Sequence, residues 1–289
     1  MVGRSGSGKT TLLKCIYGLE DLAGGQILFK GEPALGPAYH LVPGHPQMSL
    51  VSQEYHVLEN HTIAENIYDK LPGFTNEEKE KRASRLLKLL ELNLLRNTRA
   101  KHLSSGQKQR VAIARALAII PELLLLDEPF SNLDKLLSEK LFSFVLKEVK
   151  KNGSSLILIT HLAEEALKFA DTICVVDEGK ILQTGPKWEV YYRPGNTRLA
   201  GLLGGFNLVK KEDLLSTSPH KKINKVLFRP DQFIQTPADK ADMQVTVTQC
   251  TFNGKCFEIL SQNKNGNQFL VYTHKPLAVD KSFYFKIRI

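Results

Sequence analysis

Gly3-Arg4-Ser5-Gly6-Ser7-Gly8-Lys9-Thr10 opens this 289-residue chain and fits G-x-x-x-x-G-K-[ST] at every fixed position. The octapeptide constrains the fold more tightly than any other stretch. Its glycines let backbone N–H groups wrap a phosphate with no side chain in the way. Lys9 supplies a point charge for the outer phosphates, and the Thr10 hydroxyl can ligate Mg²⁺. A helix expected over Thr10–Tyr17, with Thr11 in its first turn, aims its positive end at the same anion. Such a loop is normally fed by a buried strand. Only Met1 and Val2 precede Gly3, so that strand is expected to be almost wholly missing from this sequence.

The next 200 residues support an α/β reading. Leu123–Leu126, Ser155–Thr160 and Thr172–Val176 are apolar runs that alternate with helical patterns, which points to a largely parallel sheet. Their unbroken apolar character suggests strands covered on both faces. They end in Asp127, His161 and Asp177, and the carboxyl ends of such strands are where open α/β sheets bind ligands. Between Asn76 and Leu95, Leu86, Leu87, Leu90 and Leu94 recur at helical spacing among charged residues, which predicts an amphipathic helical insert.

Two strand ends carry chemistry. Leu123–Leu126 leads into Asp127-Glu128-Pro129, a Walker B pattern in which a rigid strand holds two carboxylates. Asp127 would hold Mg²⁺ and Glu128 would orient or deprotonate an attacking water. His161 follows another strand, and a polarising contact to the terminal phosphate is its expected role.

Leu103-Ser104-Ser105-Gly106-Gln107 precedes Walker B and resembles the signature motif of ABC ATPases, with Ser105 where glycine is usual. Gln53 is similar to that family's Q-loop glutamine, Ser131-Asn132-Leu133-Asp134 to its D-loop and His161 to its H-loop. The resemblance covers about residues 1–205 and implies a P-loop NTPase core with a helical subdomain at about 70–118. It implies ATP as ligand, bound by Gly3 to Thr11, and Mg²⁺ held by Thr10, Gln53 and Asp127. In the family the signature meets ATP on an opposite subunit, which implies a homodimer or a pairing with a related ATPase subunit. The family's N-terminal strands carry an aromatic residue that stacks on adenine, and no residue here is assigned that role.

Residues 206–289 change character. Short, partly alternating apolar runs are separated by Asn253-Gly254 and Asn265-Gly266, both strong hairpin signals. A small all-β barrel or sandwich is expected. Arg193-Pro194, Leu203-Gly204-Gly205-Phe206-Asn207 and Phe228-Arg229-Pro230-Asp231 resemble landmarks of importer ATPases that carry a C-terminal OB-like (TOBE) domain, as in importers of sugars, polyamines, ferric iron and some oxyanions. The resemblance implies a motor subunit at the inner face of the cell membrane. It would drive integral membrane permease subunits through the surface after Gln53, around Tyr55 and Leu58. The alternatives are a soluble ABC ATPase acting on ribosomes or nucleic acid, and a regulatory subunit with little turnover.

Composition separates few of these. The hydrophobic share of 42% and charged share of 24% fit a globular protein with a buried core. A net charge of +9 permits nucleic acid, an anionic membrane or phosphate ligands, but Lys and Arg are spread along the chain. Nucleic acid is not the expected partner. Cys15, Cys174, Cys250 and Cys256 show no metal or CxxC spacing and read as reduced thiols. No run reaches the ~20 apolar residues of a membrane span.

Overall fold

The computed structural model describes residues 1–216, 218–220 and 225–288, which divide into two compact units. The first comprises Met1–His161 with Val176–Gly179, the second Leu162–Val175 with Lys180–Ile289.

The first unit starts with helix α1 (Lys9–Tyr17), a two-residue hairpin of β1 (Leu28–Phe29) and β2 (Glu32–Pro33), and strand β3 (Met48–Val51). Three helices follow: α2 (Ile63–Tyr68), α3 (Asn76–Leu89) and α4 (Ser105–Ala116). Then come β4 (Leu123–Asp127), α5 (Lys135–Lys151) and β5 (Ser155–Ile159). Each helix of the insert starts where a side chain relieves its orphan N–H groups. Thr62 with Glu65, Thr75 with Glu78 and Ser104 with Gln107 form reciprocal capping boxes. The predicted helical insert is α3, which ends at Leu89 and gives way to a 3₁₀ turn at Asn93–Leu95. Its Ala83, Leu86 and Leu87 are buried.

Strands β3, β4 and β5 form a parallel sheet with β4 in the middle. The register sets Val51 beside Leu126 and Asp127 beside Ile159, so the three carboxyl ends align. All five β4 residues are buried, as a strand covered on both faces should be. Each β4 leucine contributes roughly 1.5–3 kcal/mol by leaving water. Helix α1 packs Leu13 against Met48, Leu123, Leu125 and Ile159. β5 differs from expectation, since only Ile159 is buried in it. Among the described residues its neighbour on the side away from β4 is Met1–Val2: the Met1 amine donates to Leu158 O, Thr160 N donates to Met1 O, and Val2 bridges Thr160 in parallel. Val176 N donates to Val2 O, so two residues stand in strand position at the head of the Gly3 loop.

The second unit adds α6 (Ala163–Phe169), β6 (Thr172–Asp177, shared with the first unit), β7 (Lys180–Pro186), α7 (Lys187–Tyr192) and α8 (Thr197–Leu202). Seven strands follow: β8 (Asn207–Lys210), β9 (Lys225–Phe228), β10 (Phe233–Gln235), β11 (Met243–Phe252), β12 (Phe257–Gln262), β13 (Gln268–Thr273) and β14 (Ser282–Ile287). β8 and β9 pair as a ribbon, and the rest form an antiparallel sheet in the order β10-β14-β11-β12-β13. Its outer strands β10 and β13 approach each other, so the sheet curls toward a barrel. A bulge between Val247 and Gln249 helps it bend. Both Asn-Gly pairs turn hairpins as expected, with Gly254 at φ 89° and Gly266 at φ 82°.

Arg229 is the organiser of this unit. It is 1% exposed, and among the described residues its guanidinium bonds to backbone carbonyls and to no carboxylate. Its guanidinium donates to Tyr191 O, Ala200 O, Gly204 O and Gly205 O, and it lies 4.1 Å over the Tyr191 ring. One side chain thereby ties α7, α8 and the Gly204-Gly205 corner to the start of the β domain. Next to it, Tyr192 donates to Asp231 at 2.7 Å.

Candidate functional site: a nucleotide loop facing two carboxylates

The Gly3–Thr10 loop needs its glycines. Gly6 and Gly8 hold φ 77° and φ 91°, a region that Cβ-bearing residues avoid. A Cβ on Gly3 would sit 1.9 Å from Val176 O, inside the backbone of β6. Lys9 curls back over the loop and donates to Gly3 O (3.0 Å), Arg4 O (2.8 Å) and Ser7 Oγ (3.2 Å). Gly179 N donates to Ser7 O and closes the rim. Arg4, Ser5, Gly6, Gly8, Thr10 and Thr11 face solvent, while Gly3, Ser7 and Lys9 are buried.

The end of β4 meets this loop. The Thr10 hydroxyl hydrogen-bonds to the Asp127 carboxylate. Burial pushes the Asp127 carboxyl above its usual range; the Thr10 bond pulls it partly back and the Glu128 charge raises it further. Burial also lowers the Lys9 ammonium, against the upward pull of Glu128, Asp127 and Asp177. A buried cation near three carboxylates, with a cradle of backbone N–H groups, is the charge pattern of a polyphosphate and metal site. The oxygen donors Thr10 and Asp127 stand together, and oxygen is what Mg²⁺ prefers. Gln53 lies just beyond β3, exposed and at the same edge of the sheet.

Glu128 stands in the left-handed region at φ 46°. Its N–H donates to Ile159 O at 3.0 Å, and its carbonyl accepts from Ser131 N and Gln109 Nε2. The Glu128 carboxylate lies 3.0 Å from His161 Nδ1. Sequence spacing alone paired neither residue with the other. Leu103 is buried, while Ser104 and Ser105 are exposed at the N-terminus of α4. Gly106 abuts the Ser131–Asp134 turn: a Cβ there would lie 2.8 Å from Leu133 Cδ2 and 3.2 Å from Asn132 O. Asp134 caps α5 by accepting from Leu137 N.

Four contacts escaped the sequence reading, although Asp177 and Tyr55 were themselves named in it. Asp177 acts on Lys9, and the strand run that ends in it was the available signal. Gly179 belongs to the rim of the loop. Gln109 and Tyr55 engage the turn after Glu128 from distant segments, and no local pattern announces these two contacts. A cleft of about 960 Å³ runs beside β3, lined by Met48–Ser52, His56, Ala112, Arg115 and Ile119.

Comparison with known proteins decides the family. The family model described as ABC transporter matches residues 1–131. The sulfate/thiosulfate import ATP-binding protein CysA of Synechocystis is 34% identical, over 95% of this chain and 79% of that protein. The chain belongs to the ABC transporter family. The spermidine/putrescine import ATP-binding protein PotA of Clostridium novyi is 32% identical, over 94% of this chain and 82% of that protein. Among solved structures, an ATP-binding cassette in a dimeric, post-hydrolysis state bound to ADP and Pi matches with a TM-score of 0.57. It is 30% identical, over 64% of this chain and 83% of that one. As an ABC ATPase, the chain has the α/β nucleotide-binding core with a small β domain that its motifs imply. Among the described residues no helix is long and apolar enough to cross a membrane.

Proposed function

We propose that this chain is the ATP-hydrolysing motor of an ABC importer, with residues 1–205 as the ATPase domain and 206–289 as the OB-like domain. The carrying observation is the meeting of Lys9 and Thr10 with Asp127 and Glu128 at the end of β4. Loop N–H groups and Lys9 bind the phosphates. Asp127, Thr10 and Gln53 would hold Mg²⁺, which neutralises phosphate charge when bound. Glu128 accepts the proton of the attacking water or fixes its direction, and His161 holds Glu128 in place through the 3.0 Å contact. Most of the rate comes from this positioning and from preset charge.

The exposed start of α4, Ser104 to Gly106, presents a helix N-terminus to solvent, which suits a triphosphate on a second copy or a related subunit. The family neighbour solved as a dimer supports that arrangement. Import is supported by the sulfate/thiosulfate and spermidine/putrescine relatives, and it calls for integral membrane permease subunits. The cleft beside β3 and the segment after Gln53 would receive them at the inner face of the membrane.

Phosphate release from Mg·ATP tests this reading. The wild-type chain is expected to turn over ATP, and Glu128→Gln to lose at least about a hundredfold in kcat, the scale of one general base. A Glu128→Gln variant that hydrolyses ATP at the wild-type rate would remove Glu128 from the mechanism. Co-purification with an integral membrane protein tests the importer assignment; exclusive recovery with ribosomes or nucleic acid would overturn it.

A further inference from the structure

We propose that Tyr55 is a positioning residue for hydrolysis, its hydroxyl tying the segment after Gln53 to the turn that carries Glu128. The inference rests on the ATPase reading above. Asn132 Nδ2 donates to the Tyr55 hydroxyl at 2.7 Å, across 77 positions of sequence. Tyr55 is held for this contact. Its backbone sits at φ 41°, a region aromatic residues rarely enter, and its N–H donates to Ser52 O. The tyrosine therefore closes a short turn directly after β3, and Gln53 lies inside that turn.

The other end of the bond is equally constrained. Ser131 N donates to Glu128 O at 3.3 Å and Leu133 N to Phe130 O at 3.2 Å, so residues 128–133 form one hydrogen-bonded turn. Gln109 Nε2, from α4, reaches the same Glu128 carbonyl at 3.4 Å. Gly106 presses on Asn132 and Leu133 from that helix. The turn is thus a junction of three parts: the segment after Gln53, the signature helix and the residue that faces the water. Beyond the β3–β4 pairing itself, the Tyr55–Asn132 bond gives a movement of the Gln53 segment a side-chain route to the turn that carries Glu128. The phenol ring alone would serve for packing; the hydroxyl is what makes the link.

The test is steady-state phosphate release by the full chain with Mg·ATP, combined with a double-mutant cycle. Tyr55→Phe keeps the ring, so it is expected to melt with the wild type. Its kcat is expected to fall about fivefold, the size one neutral hydrogen bond supports, with KM for ATP unchanged. Asn132→Ala is expected to fall by a similar factor, and the double variant to be no slower than either single one. Full kcat in Tyr55→Phe overturns the inference, as do losses that multiply in the double variant. An early-melting Tyr55→Phe that loses affinity and turnover together also overturns it, by making the role structural. A wild-type chain that releases no phosphate overturns the ATPase reading itself, whereas an active wild type with an indifferent Tyr55→Phe overturns only this inference.

Discussion

Asp127 is 2% exposed and carries its carboxyl above the ordinary value because burial disfavours the anion. Such a group binds a proton more tightly in the folded chain than in the unfolded one. Its contribution to stability therefore falls as pH rises from the ordinary 3.8 through the raised value. At neutral pH the ionised carboxylate is a standing cost to the metal-free fold. Asp127→Asn removes that charge at nearly constant shape. Its metal-free melting temperature at neutral pH is expected to rise by about 2–4 °C, the shift that about 1 kcal/mol gives in a chain of this order. The rise should shrink when the comparison is made well below the ordinary 3.8, where the wild-type carboxyl holds its proton in the folded and the unfolded chain alike. A differential scanning measurement at both pH values checks the sign. The same residue was legible in the sequence because its role is local: an apolar strand followed by two acids is enough. The Glu128–His161 contact and the Tyr55–Asn132 bond were not legible, since each joins segments that only the folded sheet brings together.

At the scale of elements, local chemistry that satisfies backbone groups was easiest to read. Asn253-Gly254 and Asn265-Gly266 became turns because glycine alone takes their positive φ without cost. The α4 start rests on the capping box between Ser104 and Gln107, residues three apart. The half-exposed state of β5 was not readable, because burial depends on which strand lies alongside and not on how apolar Ser155–Ile159 is. Arg229 is a further case. Its motif pointed to a family landmark, but nothing local revealed four backbone carbonyls converging on one guanidinium. A lysine keeps the charge but cannot present a planar fork to four acceptors. Arg229→Lys is expected to destabilise the second unit by about 1–3 kcal/mol, the cost of leaving buried carbonyls unmet. The Gly3–Thr10 loop belongs to the other unit. Chemical denaturation should show the loss, while nucleotide affinity stays at the wild-type level. Unchanged stability would mean that water replaces the guanidinium at those carbonyls.

For the whole molecule, composition said little and motif order said most. A net charge of +9 fits several classes of partner, and its spread along the chain singles out none. The ordered set from Gly3 to His161 instead resembles that of ABC ATPases, and the resemblance implies a site that one copy cannot complete. Ser104 and Ser105 are exposed, and the box between Ser104 and Gln107 leaves the α4 dipole facing outward. If a second copy supplies the triphosphate for that helix end, a negative charge placed there should block pairing without harming the fold. Ser104→Asp is suited to this, because Asp caps a helix as well as Ser does. In Glu128→Gln, where turnover is expected to be slowed at least about a hundredfold, ATP is expected to drive the chain to about double its mass in sedimentation or light scattering. Adding Ser104→Asp should hold it at single mass, since a carboxylate would then meet phosphate at close range. Each copy should still bind ATP, because Gly3–Thr11 is untouched. Full dimerisation by the double variant would show that the α4 terminus does not touch nucleotide across the interface.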